Sequence, residues 1–265
     1  MSRLADILAS KQRELAALRE LPRRPSSRTP LDVFHALQRD GGPLRLITEV
    51  KLRSPSGGSL SRTLAPDARA LAYAEAGATV VSVLCDGPFF DGSWGHLAAA
   101  RARLDAAGFA VPLLAKEFVL DERQIAEARD RGADAVLLIA RIVDAARLKA
   151  LTRVAREEGL EPLLEVVDEA ELAAALAAGA RVVGVNARDL DSLAMDAERA
   201  ARVLDAVPAG IVAVHFSGLR APADVERVAR GRADAALVGE ALMREDDPRE
   251  MLAAMVAAAG RGPSG

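Results

Sequence analysis

Two lysines, Lys51 and Lys116, lie where a catalytic amine could act. The chain has four lysines beside 31 arginines, and each of these two ends a short apolar run. A lysine amine can release and accept a proton, whereas an arginine guanidinium stays charged. We therefore interpret Lys51 and Lys116 as candidates for general acid–base chemistry. The remaining two, Lys11 and Lys149, fall on predicted surface helices, and we expect them to be ordinary surface residues.

Further polar side chains stand at the ends of other apolar runs. Glu49 precedes Lys51 by two residues, so the two side chains point to the same side of a strand. A charge inside an otherwise apolar strand is unfavourable unless it is paired, so we expect these two to be partners. The other runs end in Glu165, in Asn186 followed by Arg188, and in His215 followed by Ser217. Such a set could pair a lysine acting as general acid with Glu165 in the opposite role.

The elements that must position these residues alternate between strands and helices. Near-continuous apolar runs, typical of parallel strands covered on both faces, occur at Leu44–Val50, Thr79–Leu84, Val111–Ala115, Ala135–Ile139, Pro162–Val166, Val182–Val185, Ile211–Val214 and Ala235–Val238. Amphipathic helices are predicted at Pro66–Ala76, Ser93–Ala107, Glu122–Arg131, Asp144–Glu158, Asp168–Ala178, Asp196–Val207, Ala221–Arg230 and Pro248–Ala259. Eight strands alternating with eight helices predict an α/β fold of the (β/α)8 TIM-barrel type. The alternative is an open doubly wound sheet, but Ser54–Gly58 poorly matches the glycine-rich turn that such a sheet carries after its first strand.

In a barrel of this type the active site lies at the C-terminal ends of the strands, where these polar residues collect. Ser217 and Gly218 follow the seventh strand, and Gly239 follows the eighth. Loops at these two places often bind phosphate through backbone N–H groups, and glycine lets the backbone approach closely. The sequence therefore predicts a phosphate site beside the acid–base residues.

The chain is predicted to be a single domain with a helical N-terminal extension. Residues 1–43 form this extension and pack on the barrel, residues 44–259 form the barrel, and residues 260–265 form a disordered tail. Within the extension we expect a helix at Ser2–Leu18 and a proline-rich linker at Arg19–Pro30. A short second helix, capped by Thr29 and Pro30, should run to Leu37.

The bulk composition argues against several functional classes. The net charge of −3 and the pI near 5.8 do not favour nucleic acid or an anionic membrane as a partner. No signal-peptide pattern or bilayer-spanning apolar stretch is evident, and we interpret the single cysteine, Cys85, as a packing residue. We expect a cytoplasmic protein that is a monomer or a weak homodimer. His35 and His96 lack partners at metal-ligand spacing, so we predict no metal site and no cofactor.

At these residues the chain resembles the indole-3-glycerol phosphate synthase family of tryptophan biosynthesis, from about Leu4 to Leu252. The run Glu49-Val-Lys-Leu-Arg-Ser-Pro-Ser56 is similar to the family's highly specific E-V-K-x-x-S-P-S signature. Further similar segments are Ser82–Asp86 with Phe90, Gly92 and Ser93, then Leu114–Phe118, Gly132–Ile139, Leu164–Val166, Gly184–Leu190 and Leu237–Met243. The N-terminal helices also fit, because the family carries an extension that helps to cover the barrel.

The resemblance implies a reaction and a role for each site residue. The enzyme would be a lyase that closes 1-(2-carboxyphenylamino)-1-deoxyribulose 5-phosphate to an indole, with loss of CO2 and water. Lys116 would be the main general acid, Lys51 would contact the substrate carboxylate, and Glu165 would serve the dehydration step. Glu49 and Asn186 would orient the lysines and the substrate hydroxyls. The anthranilate ring would lie among Phe90, Phe118, Leu137, Arg188 and Leu190, and the phosphate would be held by Ser56, Gly218 and Gly239, with Ser217 also binding substrate.

Three positions depart from the family's usual pattern. Phe216 replaces a glutamate at the barrel mouth, Val167 replaces a common histidine, and Ala187 replaces a frequent asparagine. The lost carboxylate leaves two alternatives open within enzymes: a divergent paralogue that acts on a substituted anthranilate-derived phosphosugar, and, less favoured, a Schiff-base aldolase. A non-catalytic barrel that binds a phosphate ligand is the alternative from another class of protein.

Overall fold

Eight parallel strands close into a barrel in the computed structural model of this chain. The structure describes residues 3–17, 28–54, 58–189 and 191–261. The barrel strands are β1 (Arg45–Val50), β2 (Val80–Leu84), β3 (Leu113–Lys116), β4 (Ala135–Ile139), β5 (Glu161–Val166), β6 (Val182–Asn186), β7 (Val212–Phe216) and β8 (Ala235–Val238). Each strand pairs with the next along the chain, and β1 closes the barrel on β8, with Ile47 opposite Leu237. The predicted TIM barrel is thus confirmed over the open doubly wound sheet.

The strands are buried on both faces, which explains why their sequences are apolar without alternation. Along β4, Val136 and Leu138 belong to the cluster between the strands and the outer helices. Leu137 and Ile139, which point the other way, belong to the cluster that fills the barrel interior. Because both sides of each strand are covered, both must be apolar.

Several outer helices begin one residue later than predicted. In each of them the first residue of the predicted helix is the N-cap. The side chains of Ser93, Asp144, Asp168 and Asp196 each accept a hydrogen bond from the backbone N–H three residues on, as N-caps do. The helices themselves are Pro66–Glu75, Trp94–Ala106, Glu122–Asp130, Ala145–Glu157, Glu169–Ala177, Ala197–Asp205, Pro222–Ala229 and Arg249–Ala259.

Five short elements were not predicted, and all five lie in the loops that follow barrel strands. After β1, strands Arg53–Ser54 and Gly58–Ser59 pair in an antiparallel hairpin. The others are a helix at Gly87–Phe90, a 3-10 turn at Ala140–Ile142 and a helix at Glu240–Met243. Segments of two to four residues are too short to show a periodicity in sequence.

Two helices, Arg3–Ala17 and Val33–Leu37, precede the barrel. The prediction that Thr29 and Pro30 cap the second helix was wrong, because Asp32 is its N-cap and accepts a hydrogen bond from the backbone N–H of His35 at 3.0 Å. Residues 19–27 of the predicted linker and residues 262–265 of the predicted tail lie outside the described residues. Leu4, Ile7, Val33 and Leu37 belong to the cluster that fills the barrel interior.

The expectation that Lys11 is an ordinary surface residue was also wrong. Its side chain is 2% exposed, and its Nζ lies 2.8 Å from Asp86 Oδ1, 2.9 Å from Glu14 Oε2 and 3.1 Å from Glu117 Oε1. These carboxylates raise the pKa of Lys11, although burial alone would lower it. Lys149 is exposed, as expected.

Candidate active site

A cavity of about 600 Å³ opens at the C-terminal ends of the strands, a size within the usual range for small-molecule sites. Its lining includes each of the twelve predicted site residues that the structure describes: Glu49, Lys51, Phe90, Lys116, Phe118, Leu137, Glu165, Asn186, Arg188, Ser217, Gly218 and Gly239. The other two, Ser56 and Leu190, lie outside the described residues. The structure therefore brings the predicted set together, while the role of each residue stays a prediction.

Lys51 and Glu49 form an ion pair at the end of β1. Lys51 Nζ lies 2.6 Å from Glu49 Oε1, with side-chain exposures of 15% and 4%. Burial by itself raises the pKa of the Glu49 carboxyl. The ammonium groups of Lys51 and Lys116 together lower it by more than burial raises it, so the pKa lies below its usual value. Glu49 is therefore held as a carboxylate that orients the Lys51 amine.

Gly239, at the end of β8, gives this pair the space that it occupies. A Cβ at Gly239 would lie 2.7 Å from Glu49 Oε1 and 3.2 Å from Lys51 Nζ. A side chain here would displace the pair. The Lys51–Glu49 pair is thus a reason for this glycine in addition to the predicted approach of a phosphate.

A second ion pair joins β3 to β5 and continues as a hydrogen-bond chain to β7. Lys116 Nζ lies 3.1 Å from Glu165 Oε2. The Asn186 amide donates to Glu165 Oε1 at 2.9 Å and accepts from the Ser217 hydroxyl at 2.8 Å. The backbone N–H of Arg188 also donates to Asn186 Oδ1, at 3.0 Å. Asn186 therefore fixes the Glu165 carboxylate from the side opposite the lysine.

Phe216, at the position where the resemblance predicts a lost glutamate, contacts Lys116 with its ring. Its ring is almost fully buried, and the ring centroid lies 4.7 Å from Lys116 Nζ, close enough for a cation–π contact. Gly184 on β6 makes room for the ring, since a Cβ there would lie 2.8 Å from two ring atoms. Lys116 thus has a carboxylate on one side and an aromatic ring on another.

Two aromatic side chains, Phe90 and Phe118, form part of the cavity wall. Their ring centroids are 6.1 Å apart with the ring planes inclined by 34°. Phe90 ends the helix Gly87–Phe90, whose N-cap Asp86 accepts a hydrogen bond from the backbone N–H of Phe89 at 2.9 Å. Glu117, beside Phe118, also lines the cavity, and burial raises the pKa of its carboxyl to about 7.

The opposite side of the cavity is built from the turns after β7 and β8. Ser217 and Gly218 both have positive φ, 71° and 86°, and this left-handed turn favours glycine. His215, which the sequence placed at the mouth, has its Nε2 3.0 Å from the backbone O of Ser217, and burial lowers the pKa of its ring. Lining residues that the sequence did not single out include Ser54, Ile139, Leu193, Arg220 and Arg244.

Most of these missed residues could have been found from their positions. Ser54 lies two residues before the predicted Ser56, and Arg220 and Arg244 follow β7 and β8 closely, at the end of the barrel where the site was expected. Nothing in the sequence signals Leu193, which lines the cavity and lies between the two residues of an isolated bridge, Arg188 and Met195.

Two further observations concern the described part of the chain. It contains no group of three or more His, Cys, Asp and Glu side chains that could hold a metal ion, and none of its helices is long and apolar enough to cross a membrane. Cys85 is buried, and burial raises the pKa of its thiol, which agrees with its interpretation as a packing residue.

Comparison with known proteins gives consistent matches over nearly the whole chain. The model of the family described as "Indole-3-glycerol phosphate synthase" matches residues 2–255. A protein of that name from Parafrankia sp. (strain EAN1pec) is 43% identical over 95% of this chain and 91% of its own length. Indole-3-glycerol phosphate synthase 1 from Streptomyces coelicolor is 41% identical over 97% and 96%. Among solved structures, a 3-hexulose-6-phosphate synthase is similar with a TM-score of 0.64 over 81% of this chain and 99% of that one. Its 18% identity limits that likeness to the fold.

Proposed function

The chain belongs to the indole-3-glycerol phosphate synthase family. We propose that its two lysine–glutamate pairs have different roles in one reaction: Lys116 and Glu165 transfer protons, while Lys51, held by Glu49, binds the substrate carboxylate. The chain is a carboxy-lyase of tryptophan biosynthesis that acts on a phosphorylated small molecule. Its expected substrate is 1-(2-carboxyphenylamino)-1-deoxyribulose 5-phosphate, which closes to indole-3-glycerol phosphate with loss of CO2 and water. The Lys116–Glu165–Asn186 chain, in one cavity with the Lys51–Glu49 pair, is the observation that carries the proposal.

In the ring closure, Lys116 acts as the general acid. It transfers a proton to the substrate carbonyl oxygen while the new carbon–carbon bond forms. Its partly open position supports this role, since the side chain is 16% exposed while Glu165 and Phe216 hold it from two sides. A well-placed general acid contributes about 10²- to 10⁴-fold in rate.

Decarboxylation and dehydration use the remaining charged groups. Lys51 binds the substrate carboxylate that leaves as CO2, and Glu49 keeps the Lys51 amine in position for it. Glu165 then acts as the proton-transfer group of the dehydration step, in which the substrate loses water. Asn186 orients Glu165 for this step, because its amide already donates to Glu165 Oε1.

The substrate's two ends occupy opposite sides of the cavity. The aromatic ring lies among Phe90, Phe118 and Leu137, with Arg188 near its carboxylate. Leu190, which lies outside the described residues, stays an expected contact of the ring. The phosphate lies toward the turns after β7 and β8, where Gly218 and Gly239 present backbone N–H groups. Ser217 supplies a hydroxyl on that side, and Ser56, which lies outside the described residues, is expected to bind the phosphate as well.

The cellular setting proposed with this function is the cytoplasm, with the enzyme as a monomer or weak homodimer and without a nucleic-acid partner. The net charge of −3 supports the last point. Light scattering across a range of protein concentrations measures the mass directly. A tetramer or larger assembly at micromolar concentration would contradict the proposed oligomeric state.

Replacing Lys116 by arginine tests the proton transfer. Lys116→Arg keeps the positive charge but provides no transferable proton at neutral pH, so indole formation, followed by product fluorescence, should fall at least about 100-fold. Lys149→Arg is the matched control, because Lys149 is exposed on the helix Ala145–Glu157. If Lys116→Arg turns over at the rate of the control, Lys116 is not the general acid.

A further inference from the structure

Arg69, on the helix Pro66–Glu75, is a fully buried cation that the chemistry proposed above does not use. Burying a charge is unfavourable unless its donors are satisfied. In the described part of the chain, its hydrogen bonds go to backbone oxygens and to one hydroxyl rather than to a carboxylate. A buried guanidinium that binds backbone oxygens fixes the segment to which those oxygens belong.

The segment that Arg69 holds is the one that follows β8 at the cavity. Its Nη1 donates to the backbone O of Leu242 at 3.1 Å, and its Nη2 donates to the backbone O of Glu245 at 3.1 Å. These oxygens lie at the C-terminal end of the helix Glu240–Met243, which begins directly after Gly239. The planar guanidinium can bind both oxygens at once because its N–H groups form a rigid fork. Arg69 therefore anchors the segment from the side of the outer helices.

Tyr73, one turn further along the same helix, makes a similar contact with the end of β1. Its hydroxyl donates to the backbone O of Glu49 at 3.3 Å. The side chain is fully buried, and burial raises the pKa of the hydroxyl, which therefore keeps the proton that it donates. The pairing of β1 with β8 ends one residue before Glu49 and Gly239. Side chains of one helix thus hold both strands at the point where the pairing between them stops.

We propose that Arg69 is a positioning residue whose guanidinium holds the segment after β8, and Gly239 with it, where the substrate's phosphate binds. The inference rests on the proposed function, in which Gly239 presents a backbone N–H to that phosphate. The fit against β1 is tight, since a Cβ at Gly239 would lie 2.7 Å from Glu49 Oε1. Without the guanidinium, the segment therefore has room to move away from β1 but not toward it.

Such a movement should weaken binding more than chemistry. The phosphate contact loosens when Gly239 moves outward, while Tyr73 still holds the end of β1 that carries the Lys51–Glu49 pair. Lys116 lies on β3, away from the segment that moves. The phosphate is bound in the ground state and in the transition state alike, so its loss raises KM and leaves kcat nearly unchanged.

Arg69→Met provides the test, with Arg101→Met as the matched control. Arg101 is also buried, and it donates to the backbone oxygens of Val111 and Phe109 at 3.0 Å and 3.2 Å, but these residues precede β3 at the end of the barrel opposite the cavity. Both variants should lose stability, whereas only Arg69→Met should raise KM, by about tenfold, the effect of one lost hydrogen bond to a charged group. Its affinity for inorganic phosphate, measured by isothermal titration calorimetry, should fall by a similar factor, and kcat should change less than about threefold.

Arg69→Lys keeps the test decisive if Arg69→Met folds poorly. It retains the buried charge, but a single ammonium does not reproduce the fork that binds Leu242 and Glu245, so KM and the phosphate dissociation constant should each rise about threefold. The inference is overturned if either folded Arg69 variant keeps the KM and the phosphate affinity of the wild type.

The phosphate titration does not depend on turnover, so it separates this inference from the proposed function. If the wild type forms no indole while Arg69→Met binds phosphate about tenfold more weakly, the proposed reaction is wrong and the role of Arg69 stands. If the wild type forms indole and the Arg69 variants match Arg101→Met in KM and in phosphate affinity, the role of Arg69 alone is rejected.

Discussion

Replacing Lys116 by methionine should separate the stability of the barrel mouth from its chemistry. Lys116 Nζ lies 3.1 Å from Glu165 Oε2, and the Glu165 side chain is 2% exposed. Methionine is of similar length but carries no charge, so the substitution leaves the Glu165 carboxylate buried beside the Asn186 amide. Adding Glu165→Gln in the same chain then removes the uncompensated charge. The single and double variants together report what the pair contributes to stability.

The magnitude follows from the burial of the two partners. Removing one partner of a fully buried ion pair costs about 3–5 kcal/mol. Lys116 is 16% exposed, so water solvates part of the site and we expect about 2–3 kcal/mol for Lys116→Met, including the lost contact with the Phe216 ring. At about 2–4 °C per kcal/mol for a chain of this size, the midpoint of thermal unfolding should fall by roughly 4–12 °C. The double variant should regain most of this loss.

Thermal unfolding followed by circular dichroism at pH 7 measures the stability, and indole fluorescence measures turnover. Both variants should lose at least about 100-fold in rate, because neither retains the amine. Lys149→Met is the control and should match the wild type in both assays. Two results refute the reasoning: a double variant no more stable than Lys116→Met, or a Lys116→Met enzyme that keeps turnover within a few-fold of the wild type.

Three further substitutions test other parts of the site. Gly184→Ala places a Cβ 2.8 Å from the Phe216 ring and should cost about 1–3 kcal/mol in urea unfolding; unchanged stability would mean that the ring has room to move. Gly239→Ala places a Cβ 2.7 Å from Glu49 Oε1 and should lower kcat/KM about tenfold or more in a folded enzyme, so wild-type kinetics would contradict the proposed role of that pair. The pKa of Glu117 is raised from 4.5 to about 7 by burial, so its contribution to stability is present below pH 4.5 and is lost as the pH rises through 7. The stability of the wild type relative to Glu117→Gln should therefore fall between pH 5 and pH 8 in urea unfolding, and a difference that does not change with pH would contradict this.

The strands could be predicted from the sequence because burial on both faces leaves a continuous apolar run. Every predicted strand occurs, with ends that differ by at most two residues. Four helix starts differ by one residue for a similar local reason, since the N-cap side chains of Ser93, Asp144, Asp168 and Asp196 belong to the helix by their hydrogen bonds but not by their backbone. Ion pairs between residues that are far apart in the chain could not be predicted from the sequence. Lys11 and Glu117 are 106 residues apart, and a lysine within an amphipathic helix gives no indication that a carboxylate from the barrel will cover it.

Phe216 shows the limit of sequence comparison at a single position. The resemblance to the family predicts a lost carboxylate at this position of the mouth. In the structure the ring fills space that Gly184 leaves open and faces the Lys116 ammonium. Phenylalanine offers no acceptor but still supports the lysine, because the electron-rich face of an aromatic ring also attracts a cation. The space for the ring depends on the contact between Phe216 on β7 and Gly184 on β6, which are 32 residues apart in the sequence.

Three of the four lysines thus lie among carboxylates, and their exposure separates two uses. Lys11 is closed off at 2% exposure, and its ammonium lies among three carboxylates on three segments of the chain. Such an amine can hold a structure together but cannot reach a substrate. Lys51 and Lys116, at 15% and 16%, each have a carboxylate on one side and the cavity on the other. A compact ammonium suits both places, because it can approach several carboxylates from one point and can also transfer a proton, whereas the planar guanidinium of arginine cannot transfer a proton at neutral pH. Arginine at position 116 should therefore lower turnover at least about 100-fold, although it keeps the positive charge.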